Sequence, residues 1–185
     1  MTTTPLVLLG DSFFARLHRA DCTRLETASV QPVINAATGG MNSRELVVQA
    51  SVLADLDVNF IISIGMNDAA PWKCVPLDEF RQNIEKVVSV LSPQRVAFLV
   101  PPPVSDVKQP GPDKRNNETL TQYAAVIHNV ARETNTGLID CTEAFRMFTE
   151  QAVDYHTPDG VHLNDVGGEV MLGAIMEYCK KYSPL

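Results

Sequence analysis

Ser12 lies in the stretch GDSFF, and His162 lies in DGVH with Asp159 three residues before it. A serine hydroxyl is a poor nucleophile until a base accepts its proton. An imidazole can be that base, and a carboxylate on its other nitrogen fixes the tautomer and stabilises the imidazolium. Gly160 permits a turn tight enough to bring the Asp159 carboxylate back to the His162 ring. His156 is nearby but has no acid at the same offset, and His18 and His128 fall within expected helices. Acyl transfer also needs preorganised donors for the developing oxyanion. The Gly40 N–H, the Asn67 side-chain amide and the Ser12 N–H are the candidates. Each feature has a plainer reading. Asp11-Ser12 and Asn67-Asp68 are good helix caps. Gly39-Gly40 and Pro158-Asp159-Gly160 are good turns.

These residues do chemistry together only if the fold gathers them. Five short apolar runs read as strands: Leu6 to Leu9, Pro32 to Asn35, Asn59 to Ile64, Val96 to Val100 and Leu138 to Asp140. Most are continuous rather than alternating, the pattern of strands buried on both faces of a parallel sheet. Leu77, Phe80, Ile84, Val87 and Leu91 recur at helical spacing, as do Leu120, Tyr123, Ala124, Ile127, Val130 and Ala131. Arg44 to Leu53 is a third helix. Val166 to Tyr178 is a fourth, apolar on nearly all sides and so expected to be well buried. Strands alternating with helices predict a three-layer α/β/α sandwich in one domain spanning residues 1–185. Ligands of such sheets bind beyond the carboxyl ends of the strands. Gly10-Asp11-Ser12, NAATGGMNS (35–43), GMND (65–68) and a proline-rich loop, PPPVSDVKQPGPDKRNN (101–117), all follow strands there. TPDGVHLND (157–165) precedes the last helix.

Composition narrows the classes of partner. A net charge of −7 offers no basic stripe to neutralise phosphates, so no nucleic-acid partner is expected. The longest basic cluster, Lys180-Lys181, complements the end of a helix. Cys22, Cys74, Cys141 and Cys179 are too scattered for a zinc site, and no cofactor is expected. The first apolar run is too short for a signal peptide or a membrane span. The chain as written is therefore expected in the cytoplasm with reduced thiols and no membrane partner.

Taken together and in order, GDSFF, NAATGG, GMND and DGVH resemble the blocks of the GDSL-type, or SGNH, hydrolase superfamily. The resemblance runs from residue 10 to residue 162. It implies a flavodoxin-like sandwich with five parallel strands and a metal-free serine esterase, acting on esters, thioesters or acetylated carbohydrates. It implies Ser12 as nucleophile, His162 as base and Asp159 as the acid of the triad. Ser12, Gly40 and Asn67 would form the oxyanion hole. Phe13 departs from the leucine of the family's first block, and Ala37 stands where many members have glycine. Ala15 and Arg16 stand where small or glycine residues often follow that first block.

Two other classes compete. Asp11, Asn67, Asp68, Asp159 and His162 offer oxygen and nitrogen ligands for metal-dependent phosphoester hydrolysis. A non-catalytic carbohydrate-binding module on the same scaffold is the other, because fold alone does not set function. For an esterase, Phe13, Phe14 and Met66 near the nucleophile suggest a small acyl pocket and short chains. The proline-rich loop, with Trp72 and Tyr155, is expected to shape the leaving-group side.

Overall fold

The five apolar runs become one parallel sheet in the computed structural model, which describes residues 4–109, 111 and 114–182. In chain order the elements are β1 (Leu6–Gly10), α1 (Ser12–Ala15), α2 (Arg19–Ser29), β2 (Val33–Asn35), α3 (Ser43–Leu53) and β3 (Asn59–Ser63). There follow α4 (Leu77–Leu91), β4 (Val96–Leu99), α5 (Asn117–Thr134), β5 (Gly137–Ile139), α6 (Thr142–Glu150) and α7 (Asp165–Tyr182). The strand order is β2-β1-β3-β4-β5, with every pairing parallel. This is the flavodoxin-like order, whose switch point lies between β1 and β3. Helix α4 packs on both α3 and α5, and α2 and α6 pack on α7, giving helices on both sides of the sheet.

Burial explains which runs were easy to read. Every residue of β1 and β4 is buried, as is β3 beyond Asn59. Edge strand β2 buries only Val33 and leaves Ile34 half exposed, so it is not covered on both faces. In α4, Phe80, Ile84, Val87, Val88 and Leu91 bury the face that their spacing marks out. Helix α7 is more exposed than its composition suggests. It buries one stripe, Gly167, Met171, Leu172, Ile175 and Cys179, while Val166 and Tyr182 face solvent. Two helices lie outside the sequence expectation. Helix α2 buries only Cys22, Leu25 and Ser29, and α6 only Phe145, stripes too thin to stand out. His18 is the N-cap residue of α2 rather than part of a helix, whereas His128 lies within α5 and pairs with Asp140 at 3.1 Å.

Gly10 ends β1 where the backbone must turn. Its φ is +114°, and a Cβ there would run into the Ser63 carbonyl oxygen of β3. That carbonyl accepts the Asp11 N–H at 3.0 Å, and the Gly10 carbonyl accepts the Thr38 N–H at 2.8 Å. The junction is thus held on one side by the end of β3 and on the other by the segment that follows β2. Only glycine combines this φ with so close an approach.

The described residues among 101–116 form no helix or strand before α5 begins, as the prolines at 101–103 require. Pro110 and Pro112 lie outside the described residues. Among the described residues no helix is long and apolar enough to cross a membrane.

Candidate active site

Asp11 caps α1, its Oδ1 accepting the Phe13 N–H at 3.1 Å, which places Ser12 at the first position of the helix. Ser12 Oγ lies 2.9 Å from His162 Nε2. His162 Nδ1 lies 2.6 Å from Asp159 Oδ2. The three side chains therefore form one hydrogen-bonded series at the carboxyl edge of the sheet.

The turn that carries Asp159 and His162 is tightly built. Asp159 Oδ1 accepts the N–H of Val161 at 2.9 Å and of His162 at 3.0 Å. The Thr157 hydroxyl donates to the same oxygen at 2.7 Å. Thr157 N–H donates to the His162 carbonyl at 2.8 Å, closing the loop on itself. Gly160 sits at φ +70°, and a Cβ there would lie 2.8 Å from the Gln109 nitrogen. Partial burial disfavours ionisation of Asp159. The hydrogen bonds from His162, Val161 and Thr157 outweigh it and hold the carboxyl well below the usual carboxylate range.

Gly40 and Asn67 come together on the other side. Asn67 Nδ2 donates to the carbonyl of Met41, the residue after Gly40, at 2.9 Å. Lys73 Nζ donates to the Gly40 carbonyl at 2.6 Å. Below them Asp68, fully buried, accepts the Ser43 N–H at 2.8 Å and so ties this turn to the start of α3.

Asp11 is also buried. Its Oδ1 accepts from the Ser63 hydroxyl at 2.9 Å as well as from Phe13, and Oδ2 has no partner among the described residues. Burial pushes its pKa up to about 7 against the two hydrogen bonds. The Asp68 charge adds to the rise and Arg115 opposes it. An acid whose folded pKa is raised holds a proton that the unfolded chain has already released. Stability is then greatest near pH 4, falls as pH rises to about 7, and is level above. From pH 5 to pH 8 this one group should destabilise the fold by about 3 kcal/mol. Asp11→Asn should remove that part of the pH dependence, read as urea midpoints at the two pH values. Identical pH dependence in parent and variant would show that Asp11 is ionised throughout.

The remaining expected residues separate on burial. Phe14 is fully buried core. Phe13 is 4% exposed and sits 6.0 Å, centroid to centroid, from the His162 ring. It borders a cavity of about 600 Å³ lined also by Ser12, Leu17, His162, Leu163 and Leu172. Met66 and Tyr155 are core residues, contrary to the expectation that they face substrate. Tyr155 packs against the Phe145 and Phe148 rings, and its hydroxyl meets Thr149. Trp72 is 57% exposed, with the Arg115 guanidinium 4.8 Å from its ring centroid. A larger cavity of about 680 Å³ lies at the opposite, amino edge of the strands and holds none of these groups.

His156 is tied elsewhere, its Nε2 2.9 Å from the Pro103 carbonyl. The carboxylates among the five possible metal ligands are engaged with the backbone. Asp11, Asp68 and Asp159 accept different backbone N–H groups, and among the described residues no three His, Cys, Asp or Glu side chains form a metal-holding group. Arg115 was not legible as part of the site. It is one of three basic residues in a loop without periodicity, and its contacts appear only in three dimensions.

A serine, an imidazole and a carboxylate in series at the edge of a parallel sheet form the constellation used by serine hydrolases. Residues 8–170 match the family model for the GDSL-like lipase/acylhydrolase family, and the chain belongs to that family. A GDSL esterase/lipase of Arabidopsis thaliana is 30% identical over 142 residues, 65% of this chain and 57% of that protein. An isoamyl acetate-hydrolyzing esterase 1 homolog of Rattus norvegicus is 25% identical over 162 residues, 75% of this chain and 65% of that protein. The chain thus spans somewhat over half the length of these curated relatives. The crystal structure of a lipase/acylhydrolase from Enterococcus faecalis superposes with a TM-score of 0.85 at 21% identity, covering 97% of this chain and 96% of that one. An acetylxylan esterase from Geobacillus stearothermophilus superposes with a TM-score of 0.76 at 21% identity, covering 96% and 94%. These superpositions establish the shared fold.

Proposed function

We propose that this chain is a serine esterase that hydrolyses carboxylic esters of short acyl or acetyl groups through an acyl-enzyme. The observation that carries this reading is the unbroken hydrogen-bonded series from Ser12 through His162 to Asp159. Ser12 Oγ attacks the ester carbonyl as His162 Nε2 takes its proton. Asp159 holds the other ring nitrogen and stabilises the imidazolium. The Ser12 and Gly40 N–H groups and the Asn67 amide receive the oxyanion. His162 protonates the leaving alcohol, and a water then repeats the sequence to release the acid. The names of the relatives support the same reaction class, since one refers to isoamyl acetate and another to acetylxylan. Phe13, closing the cavity beside His162, favours a short acyl group.

Two measurements test the reading. A fluorophosphonate should label the chain at Ser12 and abolish hydrolysis; labelling elsewhere with activity retained would refute a serine mechanism. Across p-nitrophenyl esters from acetate to decanoate, kcat/KM should be highest for the shortest acyl groups. Each added methylene contributes about 0.8 kcal/mol only where there is room to bury it. A preference for octanoate or longer would overturn the short-acyl assignment while leaving the mechanism in place.

A further inference from the structure

Arg115 reaches the site from the proline-rich loop. Its Nε donates to the Met66 carbonyl at 3.0 Å, and its Nη2 donates to Asn67 Oδ1 at 3.1 Å. The guanidinium thus uses two prongs of its fork on consecutive residues of the GMND turn. Among the described residues it makes no ion pair, unlike Arg24, Arg44, Arg81 and Arg146, which each meet a carboxylate. A partly desolvated cation without an ion pair is costly, so its place calls for a reason other than a surface salt bridge.

The loop holds Arg115 from behind. The Gln109 side chain, buried, accepts the Arg115 N–H at 3.0 Å and donates to the Arg115 carbonyl at 2.8 Å. The Ser105 N–H donates to the Gly160 carbonyl at 2.7 Å, and Lys108 Nζ donates to the His156 carbonyl at 3.0 Å. The same strap therefore touches the turn that carries His162 and the turn that carries Asn67.

The chemistry of Asn67 gives this a consequence. A carboxamide can rotate by half a turn and exchange its oxygen for its nitrogen. In one orientation the N–H₂ faces the Met41 carbonyl and keeps a second hydrogen to offer. In the other, oxygen meets oxygen. Arg115, a donor with no acceptor, can bond only the carbonyl oxygen of Asn67. We propose that Arg115 is a positioning residue that locks the Asn67 amide in the orientation that donates to the oxyanion. The role rests on the esterase reading above and acts wholly through Asn67.

A double-mutant cycle on p-nitrophenyl acetate tests it, using Arg115→Ala, Asn67→Ala and the pair. Loss of one oxyanion donor costs about 10²–10³ in kcat, and a donor left free to flip forfeits part of that. Arg115→Ala should lower kcat by at least about tenfold, within that range, with KM changed less than threefold. In the Asn67→Ala background the same substitution should cost less than about threefold in kcat. Any other pair of losses, including equal losses in both backgrounds, overturns the proposal. Guanidinium at low millimolar concentration should recover activity in Arg115→Ala and not in the double variant. If Arg115→Ala does not melt cooperatively, Arg115→Lys, which lacks the two-pronged fork, carries the same cycle. Ser12→Ala run alongside separates the two failures. If it is inactive while the cycle shows no coupling, the positioning role alone falls; if it stays active, the esterase reading falls and takes the role with it.

Discussion

Ser12→Ala should lower kcat for an acetate ester by about 10⁴-fold or more and leave the melting temperature within about 3 °C of the parent. The loss is large because no neighbour can replace the hydroxyl as nucleophile. What remains is the part of catalysis due to binding and the oxyanion donors. The fold should hardly notice, because Ser12 does not cap its own helix. That task falls to Asp11, whose carboxylate takes the Phe13 N–H, while Phe13 and Phe14 anchor the turn in the core. The hydroxyl's contact with His162 Nε2 is exposed to the cavity and has little to hold together. Purified variant and parent would be compared in steady-state hydrolysis and thermal melts. Near-parental hydrolysis by the variant would refute the assigned nucleophile.

Asp159→Asn should cost nearly as much, about 10³–10⁴-fold in kcat, for a reason that lies in the tautomer. Asp159 Oδ1 accepts from two backbone N–H groups and the Thr157 hydroxyl, so an asparagine will keep its oxygen there. Its N–H₂ then faces His162 Nδ1, which must become the acceptor. The ring proton moves to Nε2, and that nitrogen can no longer take a proton from Ser12. Because the turn keeps its three bonds to the oxygen, KM and the melting temperature should change far less than kcat. Asp159→Ala would lose those bonds too, so a drop in stability with alanine but not with asparagine would separate the two roles. Parental kcat in Asp159→Asn would show that the carboxylate is not needed.

The sheet and the site differed in how far they could be read from residues alone. Leu6 to Leu9, Asn59 to Ile64 and Val96 to Val100 were legible because central strands are covered on both faces and need apolar residues without a break. Helices α2 and α6 were not, because a helix on the surface of the stack can dock through two or three side chains. Ser12, Asp159 and His162 were legible through the order of their blocks, and the structure places the three within hydrogen-bonding reach of one another. Met66 and Tyr155 were misjudged, since residue type does not tell which way a side chain faces. Tyr155 finds its partners in Phe145 and Phe148, on a helix whose existence was itself invisible. Arg115 shows the opposite error. One arginine among prolines carries no periodicity, and only the Gln109 bracket behind it explains why it reaches Met66 and Asn67.

The contact between Ser12 and His162 spans 150 positions of the chain. All five strands are complete by Ile139, yet the acid and the imidazole come later, just before the helix that docks on α2. The sheet can therefore be assembled in full while the hydroxyl still lacks its base. Ester turnover, on this arrangement, reports the closure of a loop of 150 positions as well as the formation of the sheet.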